Sequence, residues 1–283
     1  MSSSYTAAPC ASPIALLAIF LCALSTPARS ADLVGQWIEG GLIFGNTEPG
    51  SSVSFKGEPV QLSTQGLFVL GLHRDEDEPV TLSIELPDGS IEEQVFEVAQ
   101  RDYNIQSIEG IAQNIMEPSE EDQNRIWADY VMTSEARKIR SDLEEFLSDF
   151  DWPVRGPISG VYGSQRIYNG KPGTPHYGLD IAVATGTPVV APAAGRIIMV
   201  HDDMFYSGGT IMLDHGHGVS SSFLHLSKTL VAVGDWVDQG DPIAEVGATG
   251  RVTGAHLDWR MNWGNSRVDP ELLLRASGAW DLD

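Results

Sequence analysis

The chain has 283 residues, 42% of them hydrophobic, enough for two ordinary cores and a connector. Lys and Arg number 17 against 39 Asp and Glu, a net charge of −22, and nothing in such a balance can neutralise a row of phosphates, which argues against a nucleic-acid partner. Both cysteines, Cys10 and Cys22, lie near the amino terminus, so the rest of the chain offers no disulfide and no thiolate, and any metal must be held by histidine and carboxylate.

Residues Ile14 to Leu24 form a short apolar run, followed by Pro27 and the small-residue site Ala28-Arg29-Ser30. This reads as a secretory signal over residues 1–30, cleaved near Ser30, and predicts export to the periplasm or cell envelope with no stable membrane span afterwards. From 31 to 112, short apolar runs such as Val53-Ser54-Phe55, Leu67-Phe68-Val69-Leu70 and Val80-Thr81-Leu82-Ser83-Ile84 alternate with turn signals such as Pro87-Asp88-Gly89. That spacing predicts a small immunoglobulin-like β-sandwich without chemistry of its own, in which His73 and the acidic run after Arg74 form a solvated loop.

Residues 113–152 read as a helical connector. Ser119 with Asp122 resembles a capping box, and apolar residues at Ile126, Tyr130, Ile139, Leu143, Phe146, Leu147 and Phe150 recur at helical spacing. A break near Thr133 predicts two consecutive helices packed on their neighbours. From 153 to 283 the chain becomes glycine-rich, with short apolar runs such as Gly195-Arg196-Ile197-Ile198-Met199-Val200 and Thr210-Ile211-Met212-Leu213, which predicts a mainly β domain built on an antiparallel sheet.

Five of the seven histidines fall in four phrases of this last part: Pro175 to Asp180, Asp214 to Gly218, Phe223 to Ser227 and Gly254 to Trp259. On a strand, residues i and i+2 share a face, so His256 and Asp258 project together while Leu257 turns away. His225 sits between apolar neighbours on another strand, and His176 and Asp180 converge from a loop entering a third. Three imidazoles and two carboxylates suit a catalytic zinc with three protein ligands, an open position and two free bases.

The order His176-x-x-x-Asp180, then Phe223-Leu224-His225-Leu226-Ser227, then Gly247 through Gly250 and Gly254 to His256-x-Asp258 resembles the lysostaphin-like zinc metallopeptidases, which are peptidoglycan endopeptidases, over about residues 155–270. The resemblance implies that His176 and Asp180 bind Zn²⁺ and that His225 and His256 orient the attacking water and stabilise the tetrahedral intermediate. His215 and His217 match a turn segment and are expected to be structural. Tyr168 and Asn169 are candidates for a groove wall.

The chain departs from the family pattern at Asp258, where the family has its third ligand histidine. Aspartate binds zinc, so one His and two Asp still make a site, but two carboxylates cancel the charge of the ion. The expectation is slower activity or a higher pH optimum, and tolerance for Mn²⁺. The function implied is hydrolysis of peptide cross-links between peptidoglycan peptide stems. The alternative is a degenerate domain that binds peptidoglycan or activates another cell-wall hydrolase.

Overall fold

The computed structural model of the protein describes residues 30–110 and 118–276. The expected export signal therefore lies, apart from Ser30, outside the described residues, and among those described no helix is long and apolar enough to cross a membrane.

The amino-terminal part forms two antiparallel sheets. Strands β1 (Ala31–Gly35), β2 (Leu42–Thr47) and β5 (Leu67–Gly71) make the first, in the order β1-β2-β5; β3 (Ser52–Phe55), β4 (Glu58–Val60), β6 (Val80–Glu85) and β7 (Ile91–Phe96) make the second, in the order β4-β3-β6-β7. The period of two on β6 buries Val80, Leu82 and Ile84 while Thr81 and Glu85 face solvent. These three share one apolar cluster with Ile43, Phe68 and Leu70 of the first sheet. The opposite face of that sheet carries Leu42, Phe44 and Val69, which join the larger core of the carboxy-terminal part. The first sheet is thus buried on both sides, which is why β2 and β5 read as nearly continuous apolar runs.

After β8 (Ile105–Ile108), the connector differs from the two consecutive helices expected. A single helix, α1 (Glu120–Ala136), runs through Thr133, whose hydroxyl donates to the Tyr130 carbonyl at 3.0 Å within the helix and so does not break it. Ser119 caps the amino end by accepting from the Asp122 amide at 3.1 Å, and Glu120, Glu121 and Asp122 complement the helix dipole. The second helix reduces to one 3₁₀ turn at Glu145–Leu147. Nor does α1 bury an apolar stripe: Trp127 and Tyr130 are exposed and stack on each other, and its only buried residue is Ala136. The apolar residues that do enter the core are Phe146 and Phe150, beyond the helix.

The carboxy-terminal part contains β9 (Ile158–Gly160), β10 (Gln165–Tyr168), β11 (Lys171–Pro172), β12 (Leu179–Ile181), β13 (Pro188–Val190), β14 (Gly195–Met204), β15 (Gly208–Gly216), β16 (Val219–Thr229), β17 (Trp236–Val237), β18 (Pro242–Val246), β19 (Leu257–Trp263), β20 (Ser266–Val268) and a last helix α2 (Pro270–Ala276). Ten of these strands form an antiparallel sheet whose spine runs β17-β14-β15-β16-β19-β12-β9. β10 instead pairs with β11 and, in parallel, with β8, so a strand that precedes the helix is built into the later part of the chain. On β19 the alternation is strict: Leu257, Trp259 and Met261 enter the core, whereas Asp258, Arg260 and Asn262 project from the other face.

His215 and His217 are both buried in the packing of this sheet. The Nδ1–H of His215 donates to the Ala194 carbonyl at 2.8 Å, its Nε2 lies 2.8 Å from the Ser221 hydroxyl, and its ring meets Phe150 edge-on. His217 packs on Phe146. Burial pulls the fully enclosed His215 imidazole from 6.5 down to about 4. Its neutral form therefore contributes stability that is complete above pH 6.5 and is lost as the pH falls toward 4, an effect of about 3 kcal/mol. Urea unfolding of wild type and His215→Gln across that range is expected to show the steeper acid-side loss in wild type; parallel curves would contradict it.

Candidate metal centre

The site is set by strand register. β12 and β19 pair antiparallel with Asp180 directly opposite Asp258, so the two carboxylates stand side by side on one face. Like charges directly opposed in a sheet repel, and the pairing is stable only with positive charge between or behind them. His176, in the loop leading into β12, supplies part of that charge. Its Nε2 lies 2.9 Å from Asp180 Oδ1 and 3.6 Å from Asp258 Oδ2, and one ligand atom from each of the three residues falls within 4.8 Å of the others.

Two glycines make this approach possible. Asp180 lies across Gly160 on β9, where an added Cβ would come within 2.2 Å of its carboxylate. At Gly178 an added Cβ would meet Asp258 Oδ1 at 2.4 Å and Arg260 Cγ at 2.6 Å. The glycine between His176 and Asp180 is therefore required by close packing.

The three imidazoles are oriented alike. Nδ1 of His176 donates to the Val161 carbonyl at 3.1 Å, that of His225 to the Thr249 carbonyl at 3.0 Å, and that of His256 to the Gly254 carbonyl at 3.0 Å. A carbonyl can only accept, so each ring carries a proton on Nδ1, and Nε2 is the nitrogen left to meet other groups. The His256 Nε2 lies 3.6 Å from Asp180 Oδ1, and the His225 and His256 rings are 4.8 Å apart. His225 reaches this face by a β-bulge. Ile211 pairs with Phe223 but Gly209 with Leu226, and His225 takes a left-handed conformation at φ 66°. The bulge lets Phe223 and Leu226 both enter the core while His225 is re-aimed away from it.

Burial alone would depress the His176 imidazole, but the carboxylates of Asp180 and Asp258 outweigh it and raise it to about 10. Asp258 is 2% exposed, and burial would push its acid upward; Arg260 and His176 reverse this and hold it well below the ordinary carboxylate range. Burial also lowers His225, so its ring is neutral near pH 7. The residue that sequence reasoning missed is Arg260. Its Nε lies 3.0 Å from both oxygens of Asp258 and its Nη2 2.5 Å from Oδ2, a bidentate pair two residues apart on β19. The signal was the same i, i+2 spacing that grouped His256 with Asp258.

A half-buried His and Asp with a buried second Asp on a β-scaffold, flanked by two further imidazoles, make a donor set that can hold a divalent metal. The model of peptidase family M23 matches residues 174–270, a span that contains all five of these side chains. A solved structure from Pseudomonas aeruginosa assigned to peptidase M23 superposes with a TM-score of 0.64 at 30% identity, covering 84% of this chain and 95% of that one. The chain belongs to peptidase family M23. It is 41% identical over 104 residues to an uncharacterized metalloprotease of Haemophilus influenzae, and 40% identical over 105 residues to the peptidoglycan DD-endopeptidase ShyA of Vibrio cholerae. Each alignment covers 37% of this chain, but only 22% and 24% of those relatives, so the chain spans about a quarter of their length.

The structure brings together His176, Asp180 and Asp258 and sets His225 and His256 beside them, while His215 and His217 serve the core. Replacing Gly178 by Ala is expected to push Asp258 and Arg260 apart, cost about 1–3 kcal/mol of stability by overpacking, and weaken metal binding in chelator competition. Unchanged affinity and stability would refute the packing argument.

Proposed function

We propose that the chain is an exported zinc metalloendopeptidase that cuts peptide cross-links of bacterial peptidoglycan. One observation carries the metal reading. His176 Nε2 lies 2.9 Å from Asp180 Oδ1 and 3.6 Å from Asp258 Oδ2, the shorter pair is shut off from solvent, and the two carboxylates hold a proton on that imidazole. A divalent cation that displaced this proton would answer both carboxylates and leave the imidazole as a neutral ligand. His176, Asp180 and Asp258 are the residues that would hold Zn²⁺, a mixed nitrogen and oxygen donor set that suits it. When bound, zinc supplies Lewis acidity toward the scissile carbonyl and toward water.

The remaining chemistry belongs to the chain. His225, neutral and fixed by Thr249, offers its Nε2 as a proton acceptor, and His256, fixed by Gly254, presents a second nitrogen across the same space. Between them they move a proton from water to the leaving amine and hydrogen-bond the developing oxyanion. Arg260 changes the charge balance expected from sequence. Two carboxylates alone would cancel a divalent ion, but the guanidinium on Asp258 returns one positive charge, the same balance as two histidines and one aspartate. The peptidoglycan substrate is supported by the DD-endopeptidase relative, and export by the apolar amino-terminal run.

Protein purified without chelators is expected to carry zinc in stoichiometric amount and to release peptide fragments from purified peptidoglycan. His225→Ala should keep the metal and lose about 10²–10⁴ of the rate. Identical fragment profiles from both proteins would favour the non-catalytic peptidoglycan-binding reading. Asp258→His, the apparent repair toward the family pattern, is expected to lower zinc affinity, because it leaves the Arg260 charge without its carboxylate beside a cation. Adding Arg260→Gln should recover the loss. A gain in affinity from Asp258→His alone would contradict the pairing.

A further inference from the structure

The face of the sheet that bears the metal centre continues past it. Across from Asp258, Arg260 and Asn262 on β19 lie Leu224, Ser222 and Ser220 on β16. Ser220, Ser222 and Asn262 are 5%, 3% and 0% exposed, yet Ser220 Oγ, Ser222 Oγ and Asn262 Nδ2 have no hydrogen-bond partner. Directly opposite Asn262 on β20 is Arg267, whose Nη1 donates to Asn262 Oδ1 at 3.2 Å. From α1, Ala136 packs on Met199, Met204 and Met212, and Met212 is the register partner of Ser222. The next residue, Arg137, brings to this region a guanidinium whose Nε is likewise buried without a partner.

The three arginines are close enough to act on one another. Burial first, and then repulsion from Arg260, pulls Arg137 down to about 10; burial, then Arg137 and Arg260, pulls Arg267 to about 9. Among the described residues only Arg260 of the three has a carboxylate partner. The buried atoms left without a partner here, Arg137 Nε, Asn262 Nδ2 and the Ser220 and Ser222 hydroxyls, can all donate a hydrogen bond, and leaving them without acceptors is costly. In a chain of net charge −22, two uncompensated cations beside the metal centre are a local reversal of sign. The complement of a set of donors around paired guanidiniums is a planar oxyanion.

We infer that Arg137 and Arg267, with Asn262, Ser220 and Ser222, form an oxyanion subsite beside the metal centre that receives a carboxylate of the substrate peptide. The substrate half of this inference rests on the peptidase reading above. The subsite selects peptides that carry a free carboxylate near the scissile amide.

The test uses the whole chain with His225→Ala, which suppresses turnover, titrated calorimetrically with a short peptide of L- and D-alanine as its free acid and as its carboxy-terminal amide. The acid is expected to bind at least about tenfold more tightly, the worth of one hydrogen bond to a charged group. Arg137→Met and Arg267→Met should each erase that preference without weakening the amide, and Arg267→Lys should restore part of it. Equal affinity for acid and amide overturns the subsite, and this comparison needs no arginine variant to fold. Binding of acetate or phosphate alone, with no preference for the peptide acid, overturns the substrate assignment. A preference for the acid in a protein whose wild type cleaves no peptidoglycan leaves the subsite standing and removes the peptidase reading; cleavage without the preference does the reverse.

Discussion

The opposition of Asp180 and Asp258 across β12 and β19 is the constraint around which the rest of the site is arranged. Two carboxylates side by side in a largely buried setting are unfavourable, and each neighbouring feature lowers that cost. His176 sits against both, Arg260 closes a bidentate pair on Asp258, and Gly160 and Gly178 remove the side chains that would hold these groups apart. The same crowding of negative charge favours positive charge between the two carboxylates, the place that the His176 imidazole approaches.

The amino-terminal sheets bear on this arrangement from a distance. β2 and β5 place apolar side chains in both cores, which ties the two parts of the chain by the hydrophobic effect and not by a linker alone. Polar ties add direction. Arg74, buried at 7% exposure, donates from Nε to the Gly163 carbonyl at 2.9 Å, and Arg101 pairs with Asp269 at 2.8 Å. Asp269 in turn accepts from the Glu271 amide at the start of α2. Gly163 donates its own amide to the His176 carbonyl at 2.7 Å, so the loop that carries a candidate ligand is braced by a residue held from the other sheet system. The His73 ring, expected in a solvated loop, lies 5.8 Å from that of Tyr177.

Much of this was legible in the chain because it depends on a period of two. The alternation in Val80 to Ile84 gave the buried face of β6, and His256-x-Asp258 gave two side chains pointing the same way. What was not legible depended on breaks in that period or on partners far apart in sequence. The bulge at His225 leaves no mark in Phe223-Leu224-His225-Leu226, since either regular or bulged pairing satisfies the apolar neighbours. The supposed break at Thr133 was a helical residue bonding its own backbone, and the apolar spacing beyond it belonged to Phe146 and Phe150 entering the core outside any long helix. Arg260 stands two residues from Asp258 in the sequence, but that spacing alone does not distinguish a bidentate pair from two side chains that merely share a face.

The strand that carries the departure also explains how it is tolerated. On β19 the core residues Leu257, Trp259 and Met261 are fully buried, so the register cannot slip by one residue without driving Asp258, Arg260 and Asn262 into hydrocarbon. That rigidity fixes three polar side chains in a row on the opposite face, at a spacing set by the pleat. A carboxylate placed first in the row meets a guanidinium held second, and their sum is neutral, as a histidine would be. The third position, Asn262, accepts from Arg267 through its Oδ1 and lies directly across from Ser220 of β16. One run of alternating residues therefore carries Asp258 of the candidate metal centre and, beyond it, Arg260 and the Asn262 that meets Arg267, and the sign of the charge along that face changes within a few residues from acidic to basic.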